Sequence, residues 1–246
     1  MKIQQSLTVM FSLMLFAVAH AETSVPSYQD SLNTFIEKSK ASKSKFSAED
    51  KNTLQESGHV LAKALPEPGI KVGEKVPDFT LKNPLGEEVS LYKELEKGPA
   101  ILVFYRGSWC PFCNMHLHVL KKSLPDFETF SAQLIAITPQ KPDKSAKQIE
   151  KDGYPFHVLS DEDSAVMKVY NLYYELSDEV ISVYKRSGLD IEEFNGKGRN
   201  VLPVPGTFVI KQDGTVQAMH APIDYKSRME PSDIIQALKD ISKADE

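Results

Sequence analysis

The chain has few cysteines and no excess of positive charge. Two cysteines in 246 residues exclude a disulfide-rich scaffold and leave no cysteine cluster for a metal. A net charge of −5 at pH 7 argues against nucleic acid or an anionic membrane surface as a partner. The sequence also lacks low-complexity tracts, internal repeats and, after residue 21, apolar runs long enough to cross a membrane. What remains is the composition of a globular domain with an appendage.

The first residues have the layout of a secretory signal peptide. Lys2 gives a basic start, an apolar stretch runs from Leu7 to Val18, and Ala19-His20-Ala21 is a small-x-small cleavage site. The apolar stretch is too short to favour a membrane span. We therefore expect residues 1–21 to be removed after Ala21 and the mature protein to be periplasmic or secreted.

The two cysteines lie three positions apart, in Trp109-Cys110-Pro111-Phe112-Cys113. The continuous apolar run from Ala100 to Tyr105 predicts a buried strand, and the segment from Cys113 to Lys122 predicts a helix. Positions i and i+3 of a helical turn lie on one side, about 5–6 Å apart, which favours a redox pair. The alternative is a structural disulfide, but so short a loop removes little unfolded-state entropy.

Cys110 is the predicted attacking sulfur. It precedes Pro111, which suits the first helical position, so Cys110 lies at the N-cap. Unpaired N–H groups there favour a thiolate and lower its pKa. Cys113, one turn further, is expected to be less exposed and to resolve the group attached to Cys110. A peroxide leaves a sulfenic acid on Cys110 and a protein disulfide leaves a mixed disulfide, and the motif allows both reactions.

Residues before the helix are candidates to assist this sulfur. Arg106 ends the strand, where a guanidinium is placed to stabilise the thiolate and to polarise an O–O bond. The Ser108 hydroxyl is a candidate donor to substrate, or it stabilises the turn. Trp109 offers apolar surface for packing or for docking a partner. His116 and His118, at spacing i and i+2, point to different sides of a helix and make a poor chelate, so no metal is predicted.

A second signal lies at Pro205, directly before an apolar strand. A proline at this position indicates a fixed peptide, with the cis form as one alternative. Such a peptide leaves the backbone of Val204 free to face a sulfur or a bound chain. An ordinary loop proline is the other interpretation.

Residues 22–72 predict a helical extension. Asp30 is the expected cap of its first helix, and Ser47 with Asp50 fits a capping box for the second. The extension is expected to pack against the main domain or a second subunit, with a dimerisation arm as one alternative. From residue 73 to 244 strands alternate with helices, which predicts a mixed α/β sheet with helices on both faces.

The expected elements of the main domain follow the hydrophobic pattern. The expected strands are Asp78–Lys82, Ala100–Tyr105, Gln133–Thr138, Phe156–Leu159, Thr207–Lys211 and Thr215–His220. The expected helices are Ser90–Glu96, Cys113–Lys122, Lys144–Lys151, Asp163–Tyr170 and Pro231–Ser242. The segment Val180–Lys185 is ambiguous.

The order of four sequence motifs indicates a resemblance to a known family. The motifs are Val76-Pro77-Asp78-Phe79-Thr80-Leu81, the run from Phe104 to Cys113, Leu159-Ser160-Asp161, and the run from Leu202 to Ile210. Together they resemble the peroxiredoxin-like branch of the alkyl hydroperoxide reductase C and thiol-specific antioxidant family, which has the thioredoxin fold. The resemblance covers residues 73–242 and implies that Cys110 is the peroxidatic cysteine, Cys113 the resolving one, and Pro205 the thioredoxin cis-proline position.

The chain departs from that family at two places. Gly107 stands where typical members have a threonine or serine, and Pro205-Gly206 stands where they carry an active-site arginine. Arg106 and Arg228 are the candidate substitutes for that arginine.

The resemblance implies a thiol peroxidase that reduces hydrogen peroxide or alkyl hydroperoxides without a cofactor. A thioredoxin-like or other dithiol reductant is the implied partner. The alternative is a thioredoxin-like disulfide oxidoreductase that acts on exported proteins, with Val204 and Pro205 holding the partner chain. A third, non-enzymatic interpretation is a binding module in which the cysteine bridge is only a structural cross-link.

Overall fold

The computed structural model describes residues 25–41 and 44–244. The predicted signal peptide, residues 1–21, lies outside the described residues. Within the described ranges no helix has the length and apolar character needed to cross a bilayer.

Helices and strands alternate through most of the described chain. The helices are α1 (Tyr28–Lys40), α2 (Ala48–Ala64), α3 (Leu91–Leu95), α4 (Pro111–Lys122), α5 (Leu124–Glu128), α6 (Pro142–Asp152), α7 (Ala165–Val169), α8 (Asp178–Arg186), α9 (Ile191–Asn195) and α10 (Pro231–Ala244). The strands are β1 (Thr80–Lys82), β2 (Glu88–Ser90), β3 (Ala100–Phe104), β4 (Gln133–Thr138), β5 (His157–Ser160), β6 (Tyr173–Glu175), β7 (Val201–Pro203), β8 (Gly206–Ile210) and β9 (Val216–His220).

A mixed sheet forms the centre of the fold. Its strand order is β2-β1-β5-β4-β3-β8-β9, with β3, β4 and β5 parallel and β8 antiparallel to β3. All five residues of β3 are buried, because helices cover both faces of the sheet, as the continuous apolar run predicts. The predicted mixed α/β sheet with helices on both faces is confirmed.

The sheet divides the core into two clusters. Along β3, Leu102 and Phe104 belong to the cluster that includes residues of α3 and α7. The intervening Ile101 and Val103 belong to the cluster that includes α4, α10 and both cysteines. This alternation is the period of two expected of a strand, and it places the cysteine pair on the α4 side of the sheet.

The N-terminal extension packs against the rest of its own chain. The capping box of Ser47 and Asp50 at the start of α2 is confirmed. The predicted cap of α1 is wrong: Ser27 is the N-cap, with an extended backbone, and its side chain accepts from the N–H of Asp30 in the first turn. Helix α1 lies on α4, where Leu32 joins a small cluster with Val119.

The segment before β8 differs from the expectation. The peptide bond before Pro205 is trans, like every bond in the described ranges, so the cis alternative is wrong. The N–H of Val204 is not free, because it donates to the carbonyl oxygen of Leu172 at 2.7 Å. The reason is that β6 and β7, on either side of this contact, form a small antiparallel sheet. The hydrophobic pattern does not predict this sheet. The ambiguous segment Val180–Lys185 is helical, within α8.

Truncation of the central strand tests this packing. Leu102 is fully buried, whereas Leu85 is 83% exposed. We expect Leu102→Ala to lower the free energy of unfolding by about 2–5 kcal/mol, because it leaves a cavity among well-packed side chains. Urea denaturation followed by circular dichroism measures the change. The matched control Leu85→Ala should change it by less than about 0.5 kcal/mol; similar effects at both positions would contradict the core described above.

Candidate active site

The local chain geometry places Cys110 at the start of α4. Its backbone is extended (φ −88°, ψ 111°), and Pro111 occupies the first helical turn. The Cys110 sulfur accepts a hydrogen bond from the N–H of Cys113 at 3.4 Å. The predicted N-cap position of Cys110 is therefore confirmed, and the sulfur takes up one of the N–H groups that a helix start leaves unpaired.

The two sulfur atoms are in contact and covered. Both cysteines are free thiols, the Sγ–Sγ distance is 2.7 Å, and each residue is 1% exposed. The expectation that Cys113 is the less exposed of the two is wrong, since they are equally buried.

Aromatic side chains account for this burial. Phe112 makes edge contacts with Phe35 of α1 and with Tyr225 of the loop after β9, at centroid distances of 5.5 and 5.6 Å. On the other side Trp109, half-buried, packs on Tyr184 of α8 at 6.1 Å. Phe112 and Trp109 also pack against the core cluster that contains both cysteines.

The pair shares one proton across its short contact. Burial raises the pKa of the Cys110 thiol well above its ordinary value, and the hydrogen bond and charge of Cys113 add to the rise. Burial also opposes ionisation of Cys113, but its hydrogen bond to Cys110 and two nearby guanidinium groups lower its pKa to about 5. Those groups belong to Arg228 and Arg106. The pair thus loses its first proton easily and keeps its second.

The prediction that Cys110 carries the lowered pKa stays a prediction, because the two thiols titrate as one pair and the charge belongs to both sulfur atoms. Arg228 reaches the Cys113 sulfur of this pair. Its Nη2 lies 3.5 Å from the Cys113 Sγ. Arg228 follows β9, 115 residues beyond Cys113, and no periodic pattern in the sequence links the two.

Arg106 lies beside the pair, as the sequence predicts. It is 3% exposed, its Nη2 donates to the Tyr184 hydroxyl at 2.5 Å, and its Cζ lies 4.8 Å from the Trp109 ring centroid and 4.4 Å from that of Tyr225. Its Nε has no hydrogen-bond partner among the described residues. Its charge favours ionisation of both sulfur atoms.

Ser108 belongs to a polar network that fixes the turn into α4. Its N–H donates to Gln140 Oε1 at 3.0 Å, and its carbonyl accepts from Asn114 Nδ2 at 2.7 Å. Gln148 links this network to the Tyr105 hydroxyl at 2.8 Å and to Asn114 at 3.1 Å. The sequence analysis missed Gln140, a buried glutamine at the end of a strand, because its partners become neighbours only in the folded chain.

The other candidate residues lie further from the pair. Val204 packs in the core cluster on the opposite side of the sheet, and Pro205 is buried beside it, so their role in holding a partner chain stays a prediction. His116 is buried with its Nε2 3.1 Å from the Met229 carbonyl oxygen, and burial lowers its pKa to about 3. His118 lies apart from it, 3.5 Å from Asp152.

A Cys-x-x-Cys pair at the start of a helix that follows the central strand of a mixed, helix-covered sheet defines a thiol-dependent oxidoreductase of thioredoxin-like fold. Comparison with known families agrees: a model described as the AhpC/TSA family matches residues 72–219. The chain therefore belongs to the AhpC/TSA family, and the peroxiredoxin-like class predicted from the sequence, a thiol-dependent peroxidase, is confirmed.

Individual relatives and solved structures give the same picture. The chain is 33% identical over 144 residues to a putative peroxiredoxin of Mycobacterium tuberculosis, covering 58% of this chain and 80% of that protein. It is 25% identical over 174 residues to Peroxiredoxin Bcp of Bacillus subtilis, covering 71% and 98%. It is 24% identical over 164 residues to the thioredoxin-like protein YneN of B. subtilis, covering 67% and 79%. The crystal structure of peroxidoxin BcpB from M. tuberculosis superposes with a TM-score of 0.56 at 22% identity, over 70% of this chain and 98% of that one, and shows the shared fold.

The shared proton predicts an unusual titration of the reduced protein. We expect the ultraviolet absorbance of the thiolate to report one thiolate per chain at neutral pH, lost only as the pH falls through about 5. The second thiol should stay protonated well above the ordinary cysteine range, because a second buried negative charge at 2.7 Å is unfavourable. The urea-unfolded chain is the control, in which both thiols should titrate near about 8.5. Two thiols that ionise together in the folded chain would contradict the shared proton.

Proposed function

We propose that the protein is an exported peroxiredoxin-type peroxidase that reduces hydrogen peroxide or alkyl hydroperoxides through Cys110 and Cys113. The observation that carries this proposal is the contact of the two sulfur atoms, 2.7 Å apart at the start of α4, in a chain of the AhpC/TSA family. One sulfur can attack a substrate and the other is already close enough to resolve the product.

The first step uses the Cys110 thiolate. Transfer of the shared proton from Cys110 to Cys113 leaves the charge on Cys110, where the N–H of Cys113 supports it at 3.4 Å. The thiolate attacks the distal oxygen of the peroxide and the O–O bond breaks. The leaving oxygen takes the proton from Cys113 and departs as water or alcohol, which leaves Cys113 as the thiolate. Arg106 supplies positive charge beside the breaking bond. Cys110 is then a sulfenic acid.

The second step closes the disulfide. The Cys113 thiolate attacks the Cys110 sulfur, the S–O bond breaks, and the hydroxyl group leaves with a proton as water. An external dithiol then reduces the bridge by exchange through a mixed disulfide and restores both thiols. A thioredoxin-like protein or another dithiol is the class of reductant that suits this chemistry.

Disulfide exchange on exported proteins is the second candidate function. A Cys-x-x-Cys pair at a helix start suits it as well, and the similarity to a thioredoxin-like protein favours it. It requires a protein disulfide rather than a peroxide to reach Cys110.

Single cysteine variants separate these reactions. With hydrogen peroxide and a thiol donor, Cys110→Ser should abolish peroxide consumption because it removes the attacking sulfur. Cys113→Ser should still react once and leave a sulfenic acid on Cys110 that a dimedone-type reagent traps, as seen by mass spectrometry. Slow peroxide attack combined with fast reduction or oxidation of a protein disulfide would favour the second function. A bridge that mild thiols do not reduce would contradict both functions.

Export is tested in a bacterium with two membranes. The basic start, apolar stretch and small-x-small site predict that the full chain is cut after Ala21 and recovered from the periplasm. N-terminal sequencing of the periplasmic fraction should then begin at Glu22. A chain that starts at residue 22 preceded only by an initiator Met should remain in the cytoplasm, and an uncut full chain found there would contradict export.

A further inference from the structure

The guanidinium of Arg228 is fixed against one sulfur of the pair. Arg228 is 8% exposed. Its Nη1 donates to the carbonyl oxygens of Tyr225 and Ser227, the latter at 2.7 Å, and its Nη2 lies 3.5 Å from the Cys113 sulfur. Two carbonyl acceptors hold the planar group in one orientation, with Nη2 on the side of Cys113.

The two sulfur atoms therefore have different supports. The Cys110 sulfur accepts a hydrogen bond from a backbone N–H at the helix start, whereas the Cys113 sulfur accepts one from the charged side chain of Arg228. This difference matters after the first step. Once Cys110 carries an oxygen, it no longer shares a proton with Cys113. Cys113 then keeps the positive charges of Arg228 and Arg106 and the backbone N–H of Arg106, and the charge of Arg228 acts on it more strongly than that of Arg106.

We propose that Arg228 is a catalytic residue of disulfide closure: it holds Cys113 as the thiolate that attacks the sulfenic acid of Cys110. The S–S bond forms, the S–O bond breaks, and the hydroxyl leaves as water with one proton from solvent. The guanidinium exchanges no electrons and keeps its charge throughout. The proposal rests on the peroxidase function proposed above and assigns the second step of that reaction.

Helix α1 seats the loop that carries Arg228. The Tyr28 hydroxyl donates to the carbonyl oxygen of Lys226 at 2.5 Å. The carboxylate of Glu230 accepts from the N–H groups of Tyr28 and Gln29 at 2.8 and 2.7 Å, where a negative charge also suits the start of a helix. The loop is thus bound to α1 on both sides of Arg228, which makes Tyr28 and Glu230 positioning residues.

The other groups around Cys113 do not change charge in the working range. The titratable and charged groups that face the pair or Arg228 are Tyr28, Tyr105, Arg106, His116, Tyr154, Tyr174, His220 and Tyr225. Burial raises the pKa of the phenols facing Cys113, to about 12 for Tyr28, and lowers the pKa of both histidines. A pH dependence of closure between about pH 6 and pH 9 therefore reports on Cys113.

The kinetic test mixes the reduced full chain with one equivalent of hydrogen peroxide. Samples are quenched over time, and trapped sulfenic acid and disulfide are counted by mass spectrometry. We expect Arg228→Met to slow closure about tenfold or more at neutral pH and to accumulate sulfenic acid, because Cys113 then ionises less readily. The defect should diminish as the pH rises. Arg228→Lys should close faster than Arg228→Met. Lys239→Met, which removes an exposed charge of α10, should close like the wild type.

A second measurement does not depend on peroxide. In Cys110→Ser the Cys113 thiol titrates alone, and its midpoint should move to higher pH when Arg228→Met is added. Circular dichroism establishes that each variant is folded. An unchanged midpoint, or closure in Arg228→Met at the wild-type rate, overturns the role of Arg228 while the peroxidase function stands. A wild-type chain that does not react with peroxide overturns the peroxidase function, while the titration still decides whether Arg228 holds the thiolate.

A separate experiment tests whether α1 positions the loop that carries Arg228. Glu230→Ala should raise the same Cys113 midpoint and slow closure, because the loop that carries Arg228 loses its contact with α1. Asp50→Ala, which removes a comparable helix-start carboxylate from α2, is the matched control and should leave both values unchanged. A Glu230→Ala chain with wild-type closure and midpoint overturns the positioning role.

Discussion

A single negative charge, shared by two buried sulfur atoms 2.7 Å apart, is the constraint around which this protein is built. An isolated buried charge is strongly unfavourable, and here the start of a helix and two buried guanidinium groups compensate it. Arg106 and Arg228 approach from different parts of the chain, one at the end of the central strand and one after β9. The same charge makes the pair reactive, so stability and chemistry depend on one arrangement.

The cover over the pair follows from that constraint. Water near a buried ion pair weakens the electrostatic interactions that support it, and the ring of Phe112 with its neighbours from α1 and the Tyr225 loop keeps solvent out. Helix α1, outside the AhpC/TSA match that begins at residue 72, contributes directly to this enclosure. In this chain the extension is thus part of the active-site surroundings.

Elements with a strong local signal could be predicted from the sequence. Strand β4 has the predicted bounds, and α4 and the capping box of α2 form where the pattern places them. Predictions that depended on weak or conflicting local signals were wrong. The pattern predicts Asp30 as the cap of α1, whereas Ser27 caps it in the structure; both residue types cap helices. The trans peptide before Pro205 and the short β6–β7 sheet depend on pairing with a segment about thirty residues away, a contact that local propensity does not register.

The sequence by itself determined the cysteine pair, its place at a strand-to-helix junction and the fold that presents it, because these follow from spacing, hydrophobic runs and helix-start chemistry over a few residues. Tertiary structure alone decided how deeply the sulfur atoms are buried and which side chains support the charge of the pair. Arg228 meets Cys113 across 115 residues and Tyr28 meets Lys226 across 198. Contacts at such separations form only when the whole chain packs, and a charge changes a pKa through distance in space rather than position in the chain.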